Sequence, residues 1–262
     1  MKNITRLAAV ALAVTSLAST VGVTVASAST ASMDSIGKVG FQASTTTNPI
    51  IDPELPTAIT PQPPTTPVTV EDGLTIDYAS SFDFGLNAIS TTNQIYNTLA
   101  QQTSTGYVAP FVQVTDNRGT LAGWNLKVSN TPLTDGTSGP GSVLTGSQMT
   151  FQKTGLNSSL SATDQALYAP SKSGNFVLNG DGTGTAQQQI MNAAVNQGMG
   201  SWSMRFGSSS DIVTSSTNPN TPVNSTNAVS LMVPGSTIKK ATNYTSTITW
   251  TLENAPSAAA NV

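Results

Sequence analysis

The chain has 262 residues, with 10 basic and 13 acidic side chains, and it contains neither histidine nor cysteine. The absence of histidine excludes Ser-His-Asp and Cys-His catalysis and histidine-based metal sites, and the absence of cysteine excludes disulfides. Only 9% of the residues are charged, and acidic side chains outnumber basic ones, so a nucleic-acid partner, which needs a basic surface to release counterions, is not expected.

Residues 1–28 have the pattern of a cleaved export signal. Lys2 and Arg6 precede the apolar run LAAVALAVTSLA at 7–18, and ASA at 26–28 is a small-residue cleavage site. The apolar run is too short for a membrane span, so we expect none in the mature chain. Cleavage leaves eight basic and 13 acidic side chains, a net charge of −5. An export signal on a chain without cysteine is typical of a secreted or surface protein of a Gram-positive bacterium.

Residues 29–70 are predicted to form a semi-rigid stalk. Residues 29–45 are small and polar, and NPIIDPELPTAITPQPPTTP at 48–67 holds seven of the 15 prolines. Prolines at this density favour extended polyproline geometry and interrupt the hydrogen-bond ladders of sheets. A proline-rich ligand for another protein is the alternative interpretation.

From residue 71 onward the hydrophobic pattern is that of β-strands. GLTIDY alternates Leu74, Ile76 and Tyr78 on one face. A hairpin is predicted from YVAPFVQV at 107–114, the turn TDNRGT, and GWNLKVS at 123–129.

Five further apolar segments bounded by glycine or alternating with threonine are predicted as strands: GSVLTGSQMTFQ, GNFVL, GSWSMRFG, AVSLMVPG and NYTSTITWTL. TAQQQIMNAAVNQ at 185–197 fits a helix, through Ile190, Ala193, Ala194 and Gln197, or a polar strand. We therefore predict an all-β fold, an antiparallel β-sandwich of Greek-key or jelly-roll type. It forms a single domain over 71–257, followed by a short tail at 258–262.

Two of the three tryptophans stand two residues before a leucine, in Trp124-Asn-Leu126 and Trp250-Thr-Leu252. On a strand both side chains of each triplet share one face, and their periodicity favours burial in the core over an exposed platform for sugar rings. We expect the two strands to lie close together, because the recurring triplet makes most sense as one composite feature. Trp202 is predicted to lie in the core with Met204 and Phe206.

Other motifs indicate no cofactor and no metal site. DFG at 83–85 has no kinase catalytic loop to accompany it, and NGDGTGT at 179–185 lacks the glutamate that would complete a calcium loop. The remaining enzymatic alternative is a hydrolase that uses a pair of carboxylates. Its candidate residues are Asp72, Asp77, Asp83, Asp116 and Glu253. Asp116 is expected to be a turn residue that forms a surface ion pair with Arg118.

Several segments together resemble one known family. They are GLTIDYASSFDFG at 73–85, VQVTDNRGTLAGWNLKV at 112–128, MGSWSMRFG at 199–207, LMVPG at 231–235 and YTSTITWTLENAP at 244–256. In order and spacing the chain from about 72 to 256 resembles the WxL surface proteins of low-GC Gram-positive bacteria.

The resemblance implies a non-catalytic protein that is secreted and held non-covalently at the cell wall, with peptidoglycan as the ligand. It carries over Trp124, Leu126, Trp250 and Leu252 as candidate binding residues. It also implies that the protein works beside separately anchored surface proteins. A structural or adhesive subunit, held by such a protein through an exposed strand edge, is therefore the alternative function. The C-terminal sequence NAPSAAANV contains no LPxTG signal for covalent attachment, which agrees with both expectations.

Overall fold

The computed structural model of the chain describes residues 30–44, 46–181, 185–215 and 223–256. The predicted export signal at 1–28 and the predicted tail at 258–262 lie outside these residues. The chain divides into two compact units, residues 1–40 and residues 41–262. In the first unit, residues 30–40 are exposed and form neither helix nor strand. The second unit contains every helix and strand described below.

Sheet 1 is antiparallel and has five strands. In spatial order these are β1 (Val68–Glu71), β2 (Leu74–Ala79), β6 (Phe111–Asp116), β13 (Gly200–Phe206) and β9 (Thr154–Ser158). Leu74 and Ile76 lie in the core, as predicted. A register shift between Ile76 and Tyr78 places Tyr78 opposite Gln113, so Tyr78 lies on the other face. The predicted three-residue stripe on β2 is wrong at this position, because the bulge adds one residue to the strand.

Sheet 2 has four antiparallel strands. In spatial order these are β10 (Ser171–Lys172), β12 (Thr185–Ala193), β7 (Trp124–Asn130) and β16 (Ile248–Glu253). The predicted hairpin between 107–114 and 123–129 is wrong, because β6 belongs to sheet 1 and β7 to sheet 2. Residues 117–123 cross from one sheet to the other instead of forming a tight turn. Each of the two strands already has a partner on both edges.

Sheet 3 is built around the longest strand of the described residues. Its strands are β11 (Phe176–Asn179), β8 (Gln148–Phe151), β15 (Val223–Val233), β14 (Ile212–Ser215) and β3 (Gln94–Leu99), which also pairs with β15. A separate hairpin is formed by β4 (Gln101–Thr103) and β5 (Gly106–Val108). All these pairings are antiparallel, and the predicted all-β antiparallel sandwich is confirmed.

One core connects the sheets. Trp202, Met204 and Phe206 of β13 are buried, as predicted. Where sheets 1 and 3 meet, Phe206 contacts Phe151 edge-on at a centroid distance of 5.1 Å. Phe151 in turn stacks on Phe176 at 4.6 Å. Aromatic pairs of this kind stabilise a core beyond the effect of their buried area.

The segment 185–197, for which helix and strand were both open, is a strand over Thr185–Ala193 followed by a turn. Its polar residues pair with β7 on one edge, and Met191 and Asn192 pair with β10 on the other. Sheet pairing therefore overrides the helical spacing of Ile190, Ala193 and Ala194. An α-helix forms elsewhere: α1 (Ala162–Tyr168) begins after Ser161, whose hydroxyl accepts from the amide of Asp164.

Residues 46–62, named here the N-terminal strap, lie on the outer face of sheet 1. Ile51 is only 3% exposed, and its amide donates to Gln113 Oε1 at 2.8 Å. Gln113 Nε2 donates to the carbonyl of Pro49, and Asn157 Nδ2 donates to the carbonyl of Asp52. Amide side chains thus form hydrogen bonds with main-chain groups of the strap, whose prolines prevent regular pairing as a β-strand. Residues 41–67 are accordingly part of the second compact unit, which differs from the stalk predicted at 29–70.

Candidate functional site

The two W-x-L strands are direct neighbours in sheet 2, which confirms the expectation that they lie close together. Along β7 and β16, Leu126 faces Leu252 and Val128 faces Trp250. Trp124 faces Ala193 of β12 on the opposite edge of β7. The two triplets therefore form one continuous apolar surface on the inner side of the sheet.

Three of the four motif side chains are buried. Trp124 and Leu126 have no exposed surface, and Leu252 is 7% exposed. Trp250 is only partly buried and packs against the core, with its ring 6.3 Å from that of Phe206. Trp250 is therefore the most exposed of the four motif residues.

Two glycines allow Trp124 to sit where it does. The indole Nε1 donates to the carbonyl of Gly198 at 3.0 Å. A Cβ atom on Gly198 would lie 2.5 Å from that same Nε1. Gly123 has φ +78°, and a Cβ there would lie 2.3 Å from the carbonyl oxygen of Ala193. Only glycine fits such close approaches, so the glycine before the first tryptophan is required by packing.

The outer side of sheet 2, named here the polar face, carries short hydroxyl and amide side chains. Its members include Lys127, Gln187, Gln189, Thr247, Thr249, Thr251 and Glu253, and Asn125 lies on the same side of the sheet but has no exposed surface. Lys127 Nζ lies 2.7 Å from Glu253 Oε1, and Gln187 Nε2 donates to Thr251 Oγ1 at 3.0 Å. The two charges of this face are therefore paired with each other, and the rest of the face offers neutral hydrogen-bonding groups.

A buried arginine ties the ends of both motif strands together. Arg118 binds Asp116 through two nitrogens, at 2.9 and 2.7 Å. It also donates to the carbonyl of Gly123, directly before β7, at 2.7 Å, and to the carbonyl of Asn254, directly after β16, at 3.2 Å. Its NH1 lies 2.5 Å from Glu71 of β1. The guanidinium thus joins sheet 1 to both motif strands of sheet 2.

The expectation of a surface ion pair at Asp116 and Arg118 is wrong, because both side chains are 4% exposed. Hydrogen bonding to Asp116 raises the pKa of Arg118 above its ordinary value. The Asp-x-Arg-Gly segment was the sequence signal that pointed to these two residues. Its composition indicates a turn, but it does not show that other strands cover the turn and bury the ion pair.

The remaining candidate carboxylates have different local environments and different roles in the fold. Asp77 is 1% exposed and accepts four hydrogen bonds, from Asn48, Thr75, Gln113 and Thr115. Asp83 is exposed and accepts from the amide of Gly85, and Asp72 lies in the turn between β1 and β2. Asp77 is thus engaged in holding the strap, and Glu253 in the polar face.

The ion pairs lower the pKa of several carboxyl groups. Hydrogen bonding to Arg118 lowers the pKa of Glu71, and hydrogen bonding to Lys127 lowers the pKa of Glu253. The pKa of Asp211 is lowered chiefly by Lys153, and that of Asp135 chiefly by the Thr137 hydroxyl.

Below neutral pH, stability should therefore fall as the pH falls. A carboxyl group with a lowered folded-state pKa stabilises the fold above its unfolded pKa, and this contribution is lost as the pH falls through the folded pKa. The ordinary pKa is 4.5 for Glu and 3.8 for Asp. We expect the urea midpoint to be constant from neutral pH down to about pH 5 and to fall below about pH 4.5, because there is no histidine to titrate in between. A Glu253→Gln variant should lose less stability on acidification, and an equal loss would contradict the contribution of Glu253.

Within the described residues, no helix is both long and apolar enough to cross a membrane. No curated protein and no solved structure matches the chain. One family does: the model of the WxL domain, described as surface cell wall-binding, matches residues 28–256. The match begins well before the strands, so it includes the proline-rich segment of the strap. Since it covers nearly the whole sequence, the chain belongs to the WxL family of cell wall-binding surface domains.

Proposed function

We propose that this protein is exported and attached non-covalently to the cell wall, with peptidoglycan as its ligand. The observation that carries the proposal is the family match over residues 28–256. The net charge of −5 for the mature chain argues against simple attraction to anionic wall polymers, so binding depends on hydrogen bonds and shape.

Three of the four motif residues act in this proposal from beneath the binding surface. Trp124, Leu126 and Leu252 are buried, so they cannot touch a ligand without unfolding, whereas they can keep β7 and β16 in register. The polar face above them presents hydroxyl and amide groups at strand spacing. Such groups match the hydroxyls of glycan chains and the amides of stem peptides. Trp250, which is partly exposed, is the motif residue that could extend this contact at the edge of the sheet.

A sedimentation assay with purified mature protein and isolated, deproteinised peptidoglycan tests the proposal. We expect retention that persists in high salt, because few charges are involved, and no release of reducing sugar. Thr249→Trp on the polar face should weaken retention about tenfold, which corresponds to roughly 1.4 kcal/mol. Thr214→Trp, at an exposed threonine of β14, is the matched control and should have no effect.

Two results would argue against peptidoglycan as the ligand. Absence of retention at every pH tested would remove the proposal. Retention by whole walls but not by deproteinised walls would instead favour the alternative, in which another surface protein holds the chain.

A further inference from the structure

The second motif strand is an open edge of its sheet. Within the described residues β16 pairs with β7 alone. The amide of Thr131, directly after β7, donates to the carbonyl of Thr247 at 3.0 Å. The main-chain carbonyl of Thr247 therefore points toward β7. Because main-chain directions alternate along an antiparallel strand, Ile248, Trp250 and Leu252 direct their N–H and C=O groups away from the sheet.

This edge lacks the features by which proteins usually protect edge strands. Such features are proline, lysine, a bulge or a very short strand. β16 has the sequence ITWTLE, and its six residues pair with β7 without a register shift. The opposite edge of sheet 2 is different, because β10 has only two residues. A regular six-residue edge strand without these features indicates that β16 is available for pairing.

A cleft begins where β16 begins. It has a volume of about 610 Å³ and lies between residues 82–89, residues 239–248 and the end of sheet 3. Its apolar lining includes Phe84, Tyr96, Leu133, Val233, Tyr244 and Ile248. At its rim Leu86 is 96% exposed and Ile89 is 58% exposed. Apolar side chains exposed this fully beside a cleft are typical of an interaction site.

The charged side chains that line the cleft differ in whether they already have partners. Lys239 lines it, but its ammonium lies within hydrogen-bond distance of four main-chain carbonyls, and Lys240 pairs with Asp135 at 3.0 Å. Asp83 also lines the cleft and is exposed, and no ion pair to it is formed within the described residues. A cation is therefore the complementary group for this rim.

We infer that an extended segment of a partner protein adds to β16 as a fifth strand of sheet 2. This segment places a large apolar side chain in the cleft and a lysine or arginine beside Asp83. Strand addition obtains affinity from main-chain hydrogen bonds and specificity from pockets for alternate side chains, and the edge and the cleft supply these two elements side by side. The inference goes beyond wall attachment and holds whether or not peptidoglycan binds.

Other occupants fit less well. A glycan does not repeat donors and acceptors at the spacing of a peptide main chain, which β16 offers. A second copy of this chain, pairing through its own β16, would contribute Glu253 and no basic side chain, so it would leave Asp83 without a counter-ion.

The test uses the whole mature chain and a phage-displayed library of random peptides of roughly twelve residues, long enough to span the edge. We expect enriched peptides with alternating apolar residues and one basic residue. On binding, hydrogen exchange at the amides of Ile248, Trp250 and Leu252 should slow, while Thr249 and Thr251, already bonded to β7, should change little. Replacing the basic residue of the peptide by glutamine should weaken binding to the wild-type chain but not to the Asp83→Asn variant.

Variants with a matched control complete the test. The double variant Leu86→Lys, Ile89→Lys should weaken peptide binding about tenfold or more. The double variant Leu167→Lys, Val213→Lys alters two exposed apolar residues elsewhere on the surface and should leave peptide binding unchanged. Thermal midpoints of all variants should match the wild type.

Three results would overturn the inference. One is failure to enrich peptides that protect the three edge amides. Another is protection of the same amides by soluble muropeptide or chitotetraose, which would identify a glycan site. The third is a concentration-dependent dimer in sedimentation with these amides protected in the absence of peptide, which would identify a second copy as the occupant.

Discussion

The Trp124→Ala variant is expected to lose about 3–5 kcal/mol of its free energy of unfolding, the usual cost of removing a fully buried tryptophan. The side chain has no exposed surface and donates a hydrogen bond to Gly198, so the substitution leaves both a cavity and an unpaired carbonyl. Trp250→Ala should cost less, because that ring is only partly buried. Urea denaturation followed by far-ultraviolet circular dichroism measures both values.

The comparison distinguishes the two tryptophans from each other, and it also distinguishes a role in core packing from a role in ligand contact. Thr249→Ala, directly before Trp250 on the exposed side of β16, is the control and should change stability by less than about 0.5 kcal/mol. If Trp124→Ala proved as stable as Thr249→Ala and yet failed to bind walls, the tryptophan would act by contact and not by packing. That result would contradict our assignment of the motif to the core.

The second large effect is expected at Arg118. Replacing Arg118 by methionine should destabilise the protein by about 3–5 kcal/mol, because the change leaves the carboxylate of Asp116 buried without its partner. It also removes the donors for the carbonyls of Gly123 and Asn254, so the ends of β7 and β16 should become more mobile. Urea denaturation gives the loss of stability, and hydrogen exchange shows whether the loss is concentrated at those two ends.

A double-mutant cycle distinguishes a coupled pair from two independent contributions. We expect the variant Asp116→Leu, Arg118→Met to be more stable than Arg118→Met alone, since it leaves no buried unpaired carboxylate. Lys127→Met, which breaks the more exposed pair with Glu253, is the control and should cost at most about 1 kcal/mol. Additive losses at Asp116 and Arg118 would show that the two side chains do not act as a unit.

Together these expectations describe a site in which binding and stability are carried by opposite sides of one sheet. The inner side of β7 and β16 is apolar and fixed by packing, and one guanidinium holds the strand ends. The outer side is polar and available to a wall polymer. The open edge of β16 lies between them and offers a third kind of contact, to an extended peptide.

Some of this could be predicted from the sequence alone. Alternation at Ile248, Trp250 and Leu252 against three threonines determines both the strand and its buried side, because side chains alternate across a strand. The adjacency of the two W-x-L strands followed from treating the repeated triplet as one feature, and the all-β class followed from short apolar segments separated by turn residues. These are local signals, and the structure agrees with them.

Only the tertiary structure decided the rest, because it depends on contacts between residues distant in the chain. TDNRGT has the composition of a hairpin turn, yet β6 and β7 entered different sheets, since each strand pairs with partners more than 30 positions away. The burial of Arg118 depends on Glu71 and Asn254, and the docking of the strap depends on Gln113 and Asn157. A local pattern shows which side chains share a face, but it cannot show what covers that face or which edge of the sheet is left open.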